Sequence, residues 1–175
     1  MRRVTRYRGN APGSGGAIGG AFTEEVRSLP WATMADIQQD WLEITALVNR
    51  YAQAVDGKNW ALYESCFTAD AQIDYSSAGG ARGGVAESTA WLATMLESIS
   101  VSQHYITNQV IDVKGEEATC RAYFFGVVGN QNETETSLIW VGGIYEDTLR
   151  RTDDGWRIAE LLDISVWSAS GPDGS

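Results

Sequence analysis

Histidine is nearly missing from this 175-residue chain, which holds one, His104, and cysteine is scarce, with only Cys66 and Cys120. The two cysteines stand far apart without Cys-x-x-Cys spacing, which excludes a thiolate zinc site and a disulfide framework. A reducing, cytoplasmic setting is the default reading. With a single imidazole and no clustered thiols, a metal site would have to be all carboxylate, and no loop has the spacing of a calcium site, so neither metal nor cofactor is expected. Also missing is any apolar run approaching the roughly 18–20 residues of a membrane span. Positive charge is short as well: 13 Lys and Arg face 23 Asp and Glu. Five of the Arg fall in the first 33 residues beside Glu24 and Glu25, which leaves a body of about -13 from Met34 onward. Such a surface repels phosphate backbones and anionic lipids, so neither nucleic acid nor membrane is an expected partner.

What is present fits one folded domain. The hydrophobic share of 43% and charged share of 21% are ordinary for a globular chain, and seven Trp with seven Tyr suggest a core or cavity rich in rings. Residues 1–33, rich in Arg, Gly and Ala without hydrophobic period or the apolar core of a secretion signal, read as a flexible basic arm. Residues 34–170 form the domain, and 171–175 read as a mobile tail.

From Asp36 the residues Ile37, Trp41, Ile44, Val48, Tyr51 and Val55 recur at steps of four and three, the stripe of an amphipathic helix ending near Asp56-Gly57. Asn59 caps a short second helix over Trp60 to Phe67. A strand follows over Ala71 to Ser76, carrying Tyr75, and then a Gly-rich turn. A third helix fits Val85 to Ser100. Four strands, about 103–113, 117–129, 135–150 and 155–168, complete the chain, with hairpin turns at Lys114-Gly115 and Asp153-Asp154-Gly155. Gly142-Gly143 marks a bulge that curls the sheet. Arg150 and Arg151 are placed on a solvated rim. Helices first and long antiparallel strands after them describe an α+β fold: three helices on a strongly bent, mostly antiparallel sheet, a cone-shaped α+β barrel with one open mouth.

His104 heads the first long strand. Strict alternation puts His104, Ile106, Asn108 and Val110 on one face, a mixture of apolar wall and polar anchor that suits a ligand cavity. Tyr123 and Phe125 on the next strand and Trp140 on the third are candidate walls, as is Trp60 on the second helix; ordinary core packing is the alternative for such rings. Asp56 directly follows the apolar stripe of the first helix, so its carboxylate is either a helix-end group or a partner for His104. In the second case it fixes the imidazole tautomer and leaves the other ring nitrogen as an oriented base.

The order Tyr-Ala-x-Ala-Val-Asp (Tyr51 to Asp56), short Trp-containing helix, Phe-Thr-Ala-Asp-Ala, Gly-rich turn, third helix and His-Tyr-Ile-Thr-Asn (His104 to Asn108) resembles the SnoaL-like branch of the nuclear-transport-factor-2-like superfamily, from Asp36 to Trp167. That superfamily has a cystatin-like cone and includes scytalone dehydratase, bile-acid dehydratase, lindane dehydrochlorinase and polyketide cyclases. The resemblance implies a cofactor-independent lyase with Asp56 and His104 as its dyad and Tyr51 assisting. The implied substrate is a small hydrophobic molecule, cyclic or polyketide- or steroid-like. An isomerase or cyclase with the same dyad, or a non-catalytic assembly subunit, is the alternative. It further implies a homo-oligomer built through the outer sheet face, a trimer ahead of a dimer. Two departures stand out: where relatives carry an arginine near the end of the last strand this chain has Leu161, Asp163 and Trp167, and the second histidine of scytalone dehydratase has no counterpart.

Overall fold

Apolar residues at helical steps bind the first helix to the sheet. In the computed structural model, which describes residues 34–133 and 136–171, helix α1 spans Met34–Asp56, and Ile44, Val48, Tyr51 and Val55 are each no more than 5% exposed. Ile37 and Trp41, assigned to the same stripe, are exposed instead. The inward position on that turn belongs to Asp40, whose carboxylate accepts hydrogen bonds from Arg151 and from Trp156 Nε1. The Arg151 guanidinium also lies over the Trp156 ring, 4.5 Å from its centre. Arg151 therefore ties α1 to the sheet rather than standing on a solvated rim. Arg150 does lie outside, paired with exposed Asp70.

The chain leaves α1 through Lys58, whose φ of 51° makes it, and not Gly57, the left-handed residue of the turn. Its Nζ donates to the carbonyl of Ile99 at 2.7 Å. Helix α2 covers Trp60–Glu64, with Asn59 accepting from the Leu62 N–H as its cap. It stops short of Phe67, because Phe67 already opens strand β1, Phe67–Asp74. Tyr75 thus follows the strand and precedes a single 3-10 turn, Ser76–Ala78. After the two-residue strand β2, Arg82–Gly83, helix α3 runs over Val85–Leu96 and ends earlier than its apolar pattern suggested. Strands β3, Val101–Lys114, β4, Glu117–Gln131, β5, Thr136–Thr152, and β6, Gly155–Ser170, follow as an antiparallel meander.

The six strands form one sheet in the order β2-β1-β6-β5-β4-β3. Only the β1–β6 pair is parallel. Gly115 and Gly155, at φ of 66° and 93°, make the β3–β4 and β5–β6 turns. The expected irregularity at Gly142-Gly143 is a register shift against β6. A side chain at Gly142 would strike the Trp167 ring, and one at Gly143 the Phe124 ring. Bulges bend the strand that carries them, so this pair lets the open sheet curl around the helices. The result is an α+β fold with three helices on a mostly antiparallel sheet. Its core of Ile44, Leu47, Tyr63, Ile73, Leu96, Leu149 and Ile158 is at most 2% exposed. The arm assigned to residues 1–33 and the tail beyond Gly171 lie outside the described residues.

Candidate active site

Asp56 is the last residue of α1, where the carbonyl end of the helix dipole disfavours a negative charge. Three donors from β3 hold it there. His104 Nδ1 lies 2.6 Å from Asp56 Oδ1, the His104 backbone N–H donates to Oδ2 at 2.8 Å, and Ser102 Oγ donates to Oδ1 at 2.9 Å. Burial opposes ionisation, but the bonds from His104 and Ser102 outweigh it and hold the carboxyl below its ordinary range. With Nδ1–H turned to Asp56, the neutral ring keeps its lone pair on Nε2. Gly126 faces His104 across the ladder. A Cβ there would stand 3.2 Å from His104 Cδ2 and 3.1 Å from a Val141 methyl, so glycine leaves room for the ring.

The imidazole forms part of the wall of a cavity of about 220 Å³. Apolar side chains dominate that wall, among them Val55, Leu92, Leu96, Phe124, Val128 and Val141, with Trp91 stacked on Tyr75 at 5.4 Å. A wider groove of about 670 Å³ runs elsewhere along the sheet. Its charged lining includes two ion pairs, Arg82 with Asp74 and Arg121 with Glu146, beside Asp147 and Glu160. Of these two spaces, the smaller combines greasy walls with an oriented base, the usual make-up of a small-molecule site.

Tyrosine hydroxyls supply much of the polarity. Tyr51 and Tyr75 meet at 2.8 Å, Tyr75 and Tyr63 at 3.1 Å, and Tyr63 donates to Ser88 Oγ, which donates to the Val85 carbonyl. Each hydroxyl has one proton, so the order is fixed from the far end: Tyr75 donates to Tyr63 and Tyr51 to Tyr75. Tyr51 therefore presents lone pairs on the cavity side, where the Tyr145 hydroxyl also hydrogen-bonds with it. Burial pushes the Tyr51 and Tyr75 phenols well above their ordinary value and keeps them neutral.

Asp163 on β6 also lines the cavity at 5% exposure. Its Oδ1 accepts from Ser77 Oγ at 2.7 Å and Ser165 Oγ at 3.1 Å. Burial raises this carboxyl above its ordinary range, against the pull of those hydroxyls and of His104. The two cysteines play no part as nucleophiles at neutral pH: burial pushes Cys66 up to about 11 and Cys120 to about 12.

Of the residues singled out from sequence, the fold brings Tyr51, Asp56, Tyr75 and His104 together and leaves five elsewhere. Asn108 follows the one-face expectation only up to a bulge between Thr107 and Val110. There Asn108 takes a φ of 54° and is exposed, and the parity of the strand reverses so that Gln109 turns in to accept from Thr45. Tyr123, Phe125 and Trp140 stand on the outer face, where Phe125 meets Tyr105 at 6.1 Å and Trp167 at 6.0 Å. The inward ring of β4 is Phe124, stacked 4.5 Å from Tyr145. Arg121 shares the face of Tyr123 and Phe125 and was the signal that this face is outward. Trp60 packs edge-on against Tyr63, outside the cavity wall. Trp91, Phe124, Tyr145 and Asp163 were not anticipated as wall residues.

A family model described as the SnoaL-like domain matches residues 38–161. The chain belongs to the SnoaL-like family. An uncharacterized protein of Mycobacterium tuberculosis (strain ATCC 25618 / H37Rv), Rv2910c, is 33% identical over 128 residues, which cover 73% of this chain and 86% of that protein. Among solved structures, a candidate aromatic ring hydroxylase from Novosphingobium aromaticivorans is 27% identical, covers 77% of this chain and 94% of its own, and superposes with a TM-score of 0.69. The hexachlorocyclohexane dehydrochlorinase LinA-type3 from Novosphingobium barchaimii LL02 is 17% identical, covers 79% and 94%, and has a TM-score of 0.68. The likeness to the dehydrochlorinase is one of fold. This SnoaL-like domain thus has the nuclear-transport-factor-2-like architecture expected of it, and among its described residues no helix is long and apolar enough to cross a membrane.

Proposed function

We propose that this SnoaL-like protein is a cofactor-independent lyase, of dehydratase or dehydrohalogenase type, acting on a small hydrophobic substrate. The observation that carries the reading is the 2.6 Å contact between Asp56 and His104 in the wall of an apolar cavity. His104 Nε2 removes a proton from the carbon beside an activating carbonyl. The electron pair forms the new double bond, and the group on the next carbon departs, as a halide or, for a hydroxyl, as water that takes its proton from the imidazolium or from a solvent water. Asp56 holds the tautomer and stabilises the imidazolium as it forms. Tyr51, whose own proton is directed to Tyr75, accepts a hydrogen bond from the substrate and so positions it. General-base assistance of this kind contributes about 10²–10⁴-fold.

The test is a panel of small β-hydroxy and β-halo ketones, followed by the near-ultraviolet absorbance of the conjugated enone. The wild type produces enone, and His104→Gln loses turnover with an unchanged circular dichroism spectrum. Full activity in that variant would end the assignment. Should the product be an isomer or a ring-closed compound with nothing released, the same dyad would be serving an isomerase or cyclase.

A second reading follows from the outer face. Tyr105, Tyr123, Trp140 and Trp167 are all at least 38% exposed, a cluster of exposed rings of the kind that marks an interaction face. We propose that this face joins copies of the chain into a homo-oligomer, a trimer ahead of a dimer. A purely structural subunit would use that face and need no dyad. The cavity beside His104 supports the enzyme over the scaffold.

A further inference from the structure

Among the described residues lining the His104 cavity there is no Lys and no Arg. Asp56 stands behind the imidazole with its carboxylate already taken by His104 and Ser102. Asp163 is the second carboxyl of the site, and its direct partners, the hydroxyls of Ser77 and Ser165, are neutral. It is 95% buried, in a wall otherwise built largely of rings and aliphatic chains.

A carboxylate or phosphate carried into this space would meet a buried carboxyl with no Lys or Arg among the described wall residues to offset it. With Asp163 ionised, that repulsion in a medium of low effective dielectric amounts to well over tenfold in affinity. An ammonium would be attracted but must give up its water among Trp91, Leu92 and Phe124. A hydroxyl meets neither obstacle. It donates to a carboxylate and accepts from a carboxylic acid, so Asp163 can hold it in either protonation state.

We propose that Asp163 is the specificity-determining group of this cavity, selecting an uncharged, largely apolar ligand that presents a hydroxyl and turning away anions. The inference rests on the reading of this cavity as the lyase site and narrows its substrates to alcohols, for which the reaction is a dehydration. The dehydrohalogenase branch and any acid or phosphate ester fall away.

Calorimetric titration of the full chain at pH 7 with 2-naphthol, 2-naphthoate and 2-naphthylmethylamine tests it. Naphthol is expected to bind at least tenfold more tightly than naphthoate and more tightly than the amine. In Asp163→Asn the naphthoate should gain at least tenfold while naphthol changes by less than threefold. Equal or tighter binding of naphthoate or of the amine by the wild type overturns the proposal, as does failure of naphthol to bind. Unchanged discrimination in Asp163→Asn, or in Asp163→Ala where the first variant does not fold, also overturns it. The wild-type ranking alone decides the ligand class. A chain that ranks the ligands as stated but forms no enone keeps Asp163 in this role and loses the lyase reading. One that forms enone but prefers naphthoate does the reverse.

Discussion

Asp56 grips His104 twice, through the ring at Nδ1 and through the backbone N–H, one carboxylate oxygen to each. The double contact fixes the position of the residue as well as the orientation of its ring. Asp56→Asn replaces an acceptor by an amide that must donate with one of its two heads, so it breaks one contact or turns the imidazole to the wrong tautomer. Turnover should fall by about 10²–10⁴-fold. The ¹⁵N spectrum of the single histidine should show the proton moving from Nδ1 to Nε2. An unchanged tautomer with full activity would remove Asp56 from the mechanism.

The same pair has a consequence for acid stability. Asp56 is held below its ordinary range of about 3.8 in the folded chain. Its contribution is therefore complete above that value and is lost as pH falls through the lower, folded one. Asp56→Asn should be less stable than wild type at pH 6 and converge on it toward pH 2, as read by urea unfolding at each pH.

Gly126 should tolerate little. The alanine Cβ would stand 3.2 Å from His104 Cδ2 and 3.1 Å from Val141, so either the ring or the valine must shift. Gly126→Ala is expected to lower turnover by up to about tenfold, since the ring need give only a few tenths of an ångström where a misplacement of about 1 Å costs about a hundredfold. Its melting temperature should change by only a few degrees. A stability loss without a turnover loss would mean that the strand, not the imidazole, needs the glycine.

The architecture was legible in the sequence because its signals are local: helical steps in α1, a cap at Asn59, glycines at the β3–β4 and β5–β6 hairpins and at the curl. The pairing of Asp56 with His104 was legible only through the family resemblance, because the helical stripe by itself left Asp56 equally readable as a helix-end group. The walls were not, for two physical reasons. A one-residue bulge reverses every side chain beyond it, which is why Asn108 faces out and Gln109 in. In β4 the choice between Phe124 and Phe125 turns on a single step, and rings alone do not reveal that one face is solvated while Arg121 does. Asp163 was read only as the place of a missing arginine, because nothing along the chain indicates that Ser77, 86 residues away, meets it.

Asp147 points the other way in pH. It is 5% exposed, its Oδ1 has no hydrogen-bond partner among the described residues, and burial pushes its carboxyl up to about 8. Between about pH 4 and 8 the folded chain holds a proton that the unfolded chain has released. Stability therefore falls as pH rises, by up to about 1.4 kcal/mol per unit. Asp147→Asn keeps the volume and removes the titration. It should raise the unfolding free energy at pH 8 by about 2–4 kcal/mol and by little at pH 5. Parallel pH profiles for variant and wild type would show that the carboxyl finds a partner in solution.

The outer face yields the last expectation. Trp140 and Tyr123 lie on β5 and β4 on the side away from the helices, 38% and 46% exposed, and Arg121 borders them with its charge already matched by Glu146. A surface of rings with a paired charge at its edge is suited to a copy of itself, because rings pack on rings and no net charge must be stripped of water. Tyr123→Glu combined with Trp140→Glu places two carboxylates per subunit where that contact forms. Sedimentation should show an oligomer for the wild type, a trimer ahead of a dimer, and a monomer for the double variant. The histidine ¹⁵N signals should be unchanged, because neither side chain reaches the cavity. A wild type that sediments as a monomer at about 100 μM would leave these rings to some other partner, and an oligomer that survives both substitutions would place the contact on a different face.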